Sequence, residues 1–475
     1  MKGLLNLMIK RKLLTSMLAL LLFVTPMLAS QSKVYSESAA PKKITFEKLW
    51  SISEKQMGGH LLSEYGDHIK MFRGPEISVP FVNKEGNIYV VGYDESVHKA
   101  NNIICLTPNG KVKWKFPIPN KSFVTGLKLW MDGNGYLYFM TWDKQKTGNK
   151  YDYTLYSIDT AGKKRWSYVI RDVVYEQRYS FHVLPDGGTV LVSEGTENGN
   201  NHIYYLDAKG KVAFHRLIKG NEFMTFEAEQ DGRLVFRYST KGSEKSSTQF
   251  LIMDKQGKTI RAIKGFEGAQ QTKAYVLPNK KLLVYQKNAD EAMAMTVFDA
   301  YGKKLWSKRF EAEDFIPNDI LVSGNNIYHQ ALGGKEGMLY RVNGTTGKTE
   351  AKFSYHDSSS LSWSYIGSYQ NNFQWDEDSI TYALVPHDLS RPVDTKVYLQ
   401  GTGALIVLDP ITLKEIGMYK YPREYEEQAK APFGADPYIA DLISSSNGEA
   451  FFYIKDKATA TRQLMKVKLK YEDQQ

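Results

Sequence analysis

LYSIDTAGKKRWSY (155–168) reads as an apolar strand, a tight turn at Gly162-Lys163, and a second strand carrying Trp166. The pattern returns as IICLTPNGKVKWKF (103–116), IYYLDAKGKVAFHR (203–216) and FLIMDKQGKTIRAI (250–263). It continues as TVFDAYGKKLWSKR (296–309), LYRVNGTTGKTEAKF (339–353) and LIVLDPITLKEIGMY (405–419). The turn glycines Gly110, Gly162, Gly210, Gly257, Gly302 and Gly347 fall 52, 48, 47, 45 and 45 residues apart, and the seventh copy has Leu413-Lys414 instead. A further hairpin precedes each copy, around turns such as NKEGN (83–87), PDGG (185–188) and SNGE (446–449). Gly, Asn and Asp supply the positive φ angles of tight turns, while β-branched and aromatic residues pack on pleated surfaces. A period of 40–50 residues made of short strands predicts an all-β fold, an eight-bladed β-propeller of four-stranded antiparallel blades.

The eighth unit is split between the chain ends. Its inner strands fall near 438–455 and at RQLMKVKLK (462–470), and no outer strand follows. ITFEKLWSI (44–52) has the Leu-Trp pattern of an outer strand without a neighbouring partner. The expected ring is therefore closed by this N-terminal strand pairing with the C-terminal blade, which leaves no exposed sheet edge. One domain spans 44–470, after a short linker (33–43) and before a tail (471–475).

The turn sequence Asp-x-x-Gly-Lys-x-x-Trp resembles the tryptophan-docking repeat of pyrroloquinoline-quinone-like propellers. Gly110/Trp114, Gly162/Trp166 and Gly302/Trp306 keep its four-residue offset, and Gly210/Phe214 keeps an aromatic. The resemblance implies that Trp114, Trp166, Phe214 and Trp306 dock each blade on the next. At Arg261, Ala351 and Ile416 the aromatic is absent, so blades four, six and seven are expected to be fastened differently. The family includes quinone-dependent alcohol dehydrogenases and non-catalytic scaffolds. Its dehydrogenases hold the quinone beneath a vicinal cysteine disulfide, and Cys105 is the only cysteine here. A non-catalytic member without a cofactor is the expectation.

Residues 1–32 read as a secretory signal peptide. Lys2, Lys10, Arg11 and Lys12 precede the uncharged run LLTSMLALLLFVTPMLA, with small residues at several cleavage positions between Ala29 and Ala40. No cysteine follows to carry a lipid anchor. The competing reading is an uncleaved anchor holding a sensor ectodomain. Both place the body outside the cytoplasm, secreted or at the cell surface, and the single thiol suits a bacterial export route that does not rely on disulfides. The net charge of +10 falls to +6 without the four n-region bases. No Lys/Arg cluster beyond doublets remains, which argues against nucleic acid as a partner.

The nine histidines show no HExxH or HxxxH spacing, so no metal site is expected. His202 and His215 flank one hairpin, but strand spacing is expected to keep them far apart. GTTGKTE (344–350) lacks full P-loop spacing and sits in a hairpin turn. Asp159, Asp207, Asp254, Asp299 and Asp409 recur at one hairpin position and read as caps on turn amides. No catalytic group stands out.

Blade seven breaks the period, with 66 residues between Gly347 and Leu413. The extra length includes SYHDSSSLSWSYIGSYQNNFQWDED (354–378), where Tyr355, Trp363, Tyr365, Tyr369, Phe373 and Trp375 are candidate binding residues. Loops on a rigid frame carry binding groups, and Trp and Tyr anchor interfaces. The expectation is an exported, non-catalytic binding or scaffold module for protein or cell-envelope polymer. The alternative is an enzyme, a degenerate quinoprotein or a carbohydrate-active propeller, with its active site in the central channel.

Overall fold

The computed structural model describes residues 42–57, 60–61, 81–83, 85–94, 99–119, 129–145, 150–174, 178–194, 200–219, 221–230, 232–240, 247–267, 269–288, 293–310, 316–333, 336–356, 397–400, 404–420, 449–455 and 462–472. Strand β1 (Lys42–Ser53) leads into one helical turn, α1 (Glu54–Met57). The first sheet holds β2 (His60–Leu61), β3 (Phe81–Val82), β4 (Ile88–Asp94), β5 (Lys99–Leu106) and β6 (Val112–Pro117). Its order is β2-β4-β5-β6, with β3 also on β4. The second sheet is β7 (Trp130–Met131), β8 (Leu137–Lys144), β9 (Lys150–Ile158) and β10 (Lys164–Val174), and the third is β11 (Arg178–Val183), β12 (Thr189–Glu194), β13 (Asn200–Leu206) and β14 (Val212–Lys219). The fourth is β15 (Asn221–Gln230), β16 (Arg233–Thr240), β17 (Ser247–Asp254) and β18 (Thr259–Glu267). The fifth is β19 (Ala269–Leu277), β20 (Lys281–Asn288), β21 (Met293–Phe298) and β22 (Lys304–Phe310), and the sixth is β23 (Ile316–Ser323), β24 (Asn326–Gly333), β25 (Glu336–Asn343) and β26 (Thr349–His356). The second to sixth sheets are four-stranded antiparallel meanders in chain order. Apolar clusters lie between consecutive sheets: Phe139 and Ile103 between the first and second, Leu155 and Leu191 between the second and third, Phe226 and Val192 between the third and fourth. The chain is a β-propeller.

The last strands depart from expectation. β27 (Val397–Gln400), β28 (Ala404–Leu408), β29 (Glu415–Lys420), β30 (Glu449–Lys455) and β31 (Arg462–Glu472) join β1 in one six-stranded sheet ordered β27-β28-β29-β1-β31-β30. The described residues thus form seven sheets, not eight blades. The cause is local. β1 pairs antiparallel with β31 from Lys43↔Glu472 to Ser53↔Gln463, and its first residues also pair in parallel with β29 through Lys42↔Gly417 and Lys43↔Met418. A Cβ at Gly417 would lie 2.8 Å from the Lys42 carbonyl oxygen, so only glycine lets β1 come alongside and fuse the two sets of strands. β1 and β31 also take in residues assigned from sequence to the linker and tail, Lys42, Lys43, Tyr471 and Glu472.

Each outer strand slips by one residue just after its turn. Cys105↔Trp114 follows Leu106↔Val112, and Tyr205↔Phe214 follows Leu206↔Val212. The same shift precedes Trp166, Arg261 and Trp306. Such a bulge exchanges the faces of all residues beyond it. The seventh docking position is Gly417 and not Ile416: the four-residue offset counted from Leu413 ends there, and Leu408↔Glu415 is followed by Val407↔Gly417 as in the other copies. Leu413 takes the positive φ of 56° that glycine holds in the other turns.

The docking positions are filled in sequence. A Cβ on Gly162 would meet the Trp114 ring at 2.6 Å, and on Gly210 the Trp166 ring at 2.5 Å. Phe214 covers Gly257 and Trp306 covers Gly347 in the same way. The indole Nε1–H groups of Trp114, Trp166 and Trp306 donate to the carbonyls of Thr160, Ala208 and Gly344 in those turns. Trp50 of β1 does likewise, covering Gly110 and donating to Pro108 at 2.8 Å. Where the aromatic is missing, other groups serve. The Arg261 guanidinium lies on Gly302, while Arg233 donates to the Ala300 carbonyl at 3.1 Å. The sixth sheet reaches the seventh through Tyr328, whose hydroxyl donates to the Pro410 carbonyl at 2.8 Å.

Arg261→Trp should therefore stabilise the protein by about 1 kcal/mol, the scale of an added aromatic contact, seen as a higher thermal midpoint. A lower midpoint would show that the guanidinium does more there than cover Gly302.

Candidate functional site

The recurring aspartates are turn caps. Asp159 Oδ1 accepts the amides of Ala161 and Lys163, and Asp207, Asp254 and Asp299 accept the corresponding pairs. Asp409 accepts the Ile411 and Thr412 amides and the Thr412 hydroxyl. Burial pushes its carboxyl up, and these bonds outweigh that to hold it below the usual carboxylate range.

Glu227 of β15 is the most enclosed carboxylate of the described strands, with 2% of its side chain exposed. Its Oε1 accepts the Thr225 hydroxyl at 2.7 Å and Arg237 Nε at 2.8 Å. Oε2 accepts the Ala274 amide of β19 at 2.9 Å. The carboxylate thus ties the inner strands of the fourth and fifth sheets together. Both oxygens are occupied, which suits a staple rather than a proton-transfer group.

A more open group lies along the seam of the second and third sheets. Tyr153 and Tyr168 face it from the second sheet, and Tyr179 and Tyr204 from the third, with ring centres 5.7 Å apart for Tyr153 and Tyr179 and 6.2 Å for Tyr168 and Tyr204. Tyr204 stacks on His215 at 4.2 Å with 8° between the planes. His202 and His215 then meet, Nδ1 to Nε2, at 2.9 Å. Burial, and after it the neighbouring Tyr204, raise the Tyr179 phenol well above its usual range, so it stays protonated. Burial, then the adjacent His215, lower the His202 imidazole.

This meeting overturns the expected separation of the two histidines. Without the bulge beside Leu206, His215 would fall opposite Ile203, on the other face from His202. With it, His215 pairs with Tyr204, and His202, opposite Leu217, is its diagonal neighbour on the same face. Diagonal partners on one face lie within reach of long or ring side chains.

Of the expected binding residues, Tyr355 lies in β26 opposite Gly337. Trp363, Tyr365, Tyr369, Phe373 and Trp375 lie outside the described residues, as does the signal segment.

No protein-family model and no curated protein matches the chain. Solved structures similar to it include the Dos1 propeller, 9% identical, with 89% of this chain and 95% of that one covered at a TM-score of 0.47. The β-propeller domain of the Trilobed protease from Pyrococcus furiosus is 12% identical over 71% of this chain and 90% of its own, with a TM-score of 0.40. A prolyl endopeptidase is 12% identical, with 84% of this chain and 55% of that one covered at a TM-score of 0.44.

Proposed function

We propose that the chain is an exported propeller with tryptophan-docking, quinoprotein-like repeats that acts as a binding or scaffold module for protein or cell-envelope polymer. The observation that carries this reading is where the repeat spends its polar groups. The turn aspartates hold their own turns, and the indole Nε1 groups and Glu227 fasten one sheet to the next. A frame built this way is rigid, and a rigid frame presents a surface at little entropic cost on binding. The docking contact of Trp50 on the first sheet supports a closed ring, and the leader-like residues 1–32 support export.

The proposed contact surface is the aromatic segment containing Tyr355, Trp363, Tyr365, Tyr369, Phe373 and Trp375. Its test is affinity capture from solubilised envelope and secreted extract on the immobilised mature chain, beside a column carrying Trp363→Ala plus Trp375→Ala. A polymer or protein held by the first column and released by the second is the expected result. Retention by both removes the segment from the contact surface. Two empty columns overturn the binding role and shift attention to the central channel.

A further inference from the structure

His202 and His215 are placed with more care than two surface imidazoles need. Their ring planes differ by 8°, and the ring centres are 5.2 Å apart with the nitrogens at 2.9 Å. That separation is the nitrogen–nitrogen distance plus the two ring radii, so the rings lie edge to edge and each nitrogen faces the other. The strands hold this arrangement from several sides. The bulge sets the register, the His202 amide donates to Ser193 Oγ at 2.6 Å, and the Tyr204 ring supports the face of His215.

We propose that His202 Nδ1 and His215 Nε2 form a binding site for a divalent transition-metal ion of the zinc, copper or nickel kind. Two imidazole nitrogens bound at about 2.0–2.1 Å lie about 2.9 Å apart at a right angle and about 3.3 Å apart at a tetrahedral one. The present hydrogen bond, in which the two nitrogens face each other, already holds them at 2.9 Å, the spacing that the right-angled arrangement of copper and nickel requires. One of the facing nitrogens carries the proton of the present hydrogen bond. On binding, that proton passes through solvent to the other nitrogen of the same ring, so a neutral pair becomes two lone-pair donors with no net release. To receive the ion each ring turns in its plane by roughly 45°, which takes the two lone pairs off their head-on line and onto one point. Among the described residues no group of three or more His, Cys, Asp or Glu surrounds a common point, so water or an incoming ligand takes the remaining positions. Imidazole donors select against magnesium and calcium, which prefer oxygen.

The test is titration of the full mature chain with nickel and zinc by calorimetry, and with copper by electron paramagnetic resonance. One ion per chain is expected, with hyperfine structure from two imidazole nitrogens in the copper spectrum. His202→Gln and His215→Gln should each weaken binding by more than about 10-fold, since loss of an outer-shell partner alone costs about 10–100-fold. Their thermal midpoints without metal report whether folding is kept, and the paramagnetic spectrum of the unmutated chain tests the site without either variant. Absence of saturable binding, equal binding of magnesium, or binding that survives both substitutions or falls with only one overturns the site.

Discussion

Glu227→Ala is expected to destabilise the protein by about 3–5 kcal/mol, the usual cost of removing one member of a buried ion pair. The substitution deprives the Arg237 guanidinium of its carboxylate and the Ala274 amide of its acceptor at once, in a place where Glu227 is 4% exposed. Little of the loss would be Coulombic energy as such. Most is the penalty of taking a partner away from charged and polar groups in low dielectric. Replacing both members, as in Glu227→Met with Arg237→Met, should therefore recover most of the loss. Urea unfolding of the single and double variants decides the matter. A single variant within about 0.5 kcal/mol of the parent, the range of ordinary surface changes, would show that the pair is solvated in solution.

Trp166 is half-buried, so Trp166→Ala should cost about 3 kcal/mol, the lower end of what large-to-small changes of buried aromatics cost. Three contacts vanish together: the ring surface over Gly210, the Nε1 bond to the Ala208 carbonyl, and the edge-on contact with Tyr138 at 5.7 Å. Trp166→Phe separates them, because it keeps a ring on Gly210 and loses the donor. Phe214 on Gly257 already uses that arrangement, so Trp166→Phe should lose roughly 1 kcal/mol, the worth of one hydrogen bond. Equal losses in the two variants would mean that the hydrogen bond, not the ring, fastens the second sheet to the third.

Much of this architecture is legible in the sequence because turns impose local chemistry. The positive φ of 79° at Gly162 and the cap made by Asp159 leave a signature within four residues. The Leu-Trp pair of β1 is equally readable, since Trp50 repeats the docking role of Trp114. What escapes is set by neighbours remote in the chain. Gly417 looks like an ordinary strand glycine until Lys42 is seen beside it, and this contact reduces the sheet count from eight to seven. Arg261 occupies an aromatic's place because a planar guanidinium also covers a glycine, which no search for rings detects. The histidine pair is hidden by one bulge, since a single skipped residue decides which face His215 joins. A recurring one-residue slip beside each Gly-Lys turn was the signal that could have revealed it.

The pairing of β1 with β31 has a consequence for the chain's assembly in time. Thr45 donates its hydroxyl to Glu472 across 427 residues of sequence. Of the described strands, β1 leaves the ribosome first and β31 last, an interval on the order of tens of seconds at about 5–20 residues per second. The entropic cost of so long a loop grows only logarithmically and is bearable. The waiting is the larger burden, because until β31 arrives β1 has its Trp50 docked on the first sheet but lacks the strand that pairs along most of its length. Among the described strands β31 thus completes the pairing, and a copy that stops before Arg462 would leave the edge of β1 open to pairing with other chains and to proteolysis.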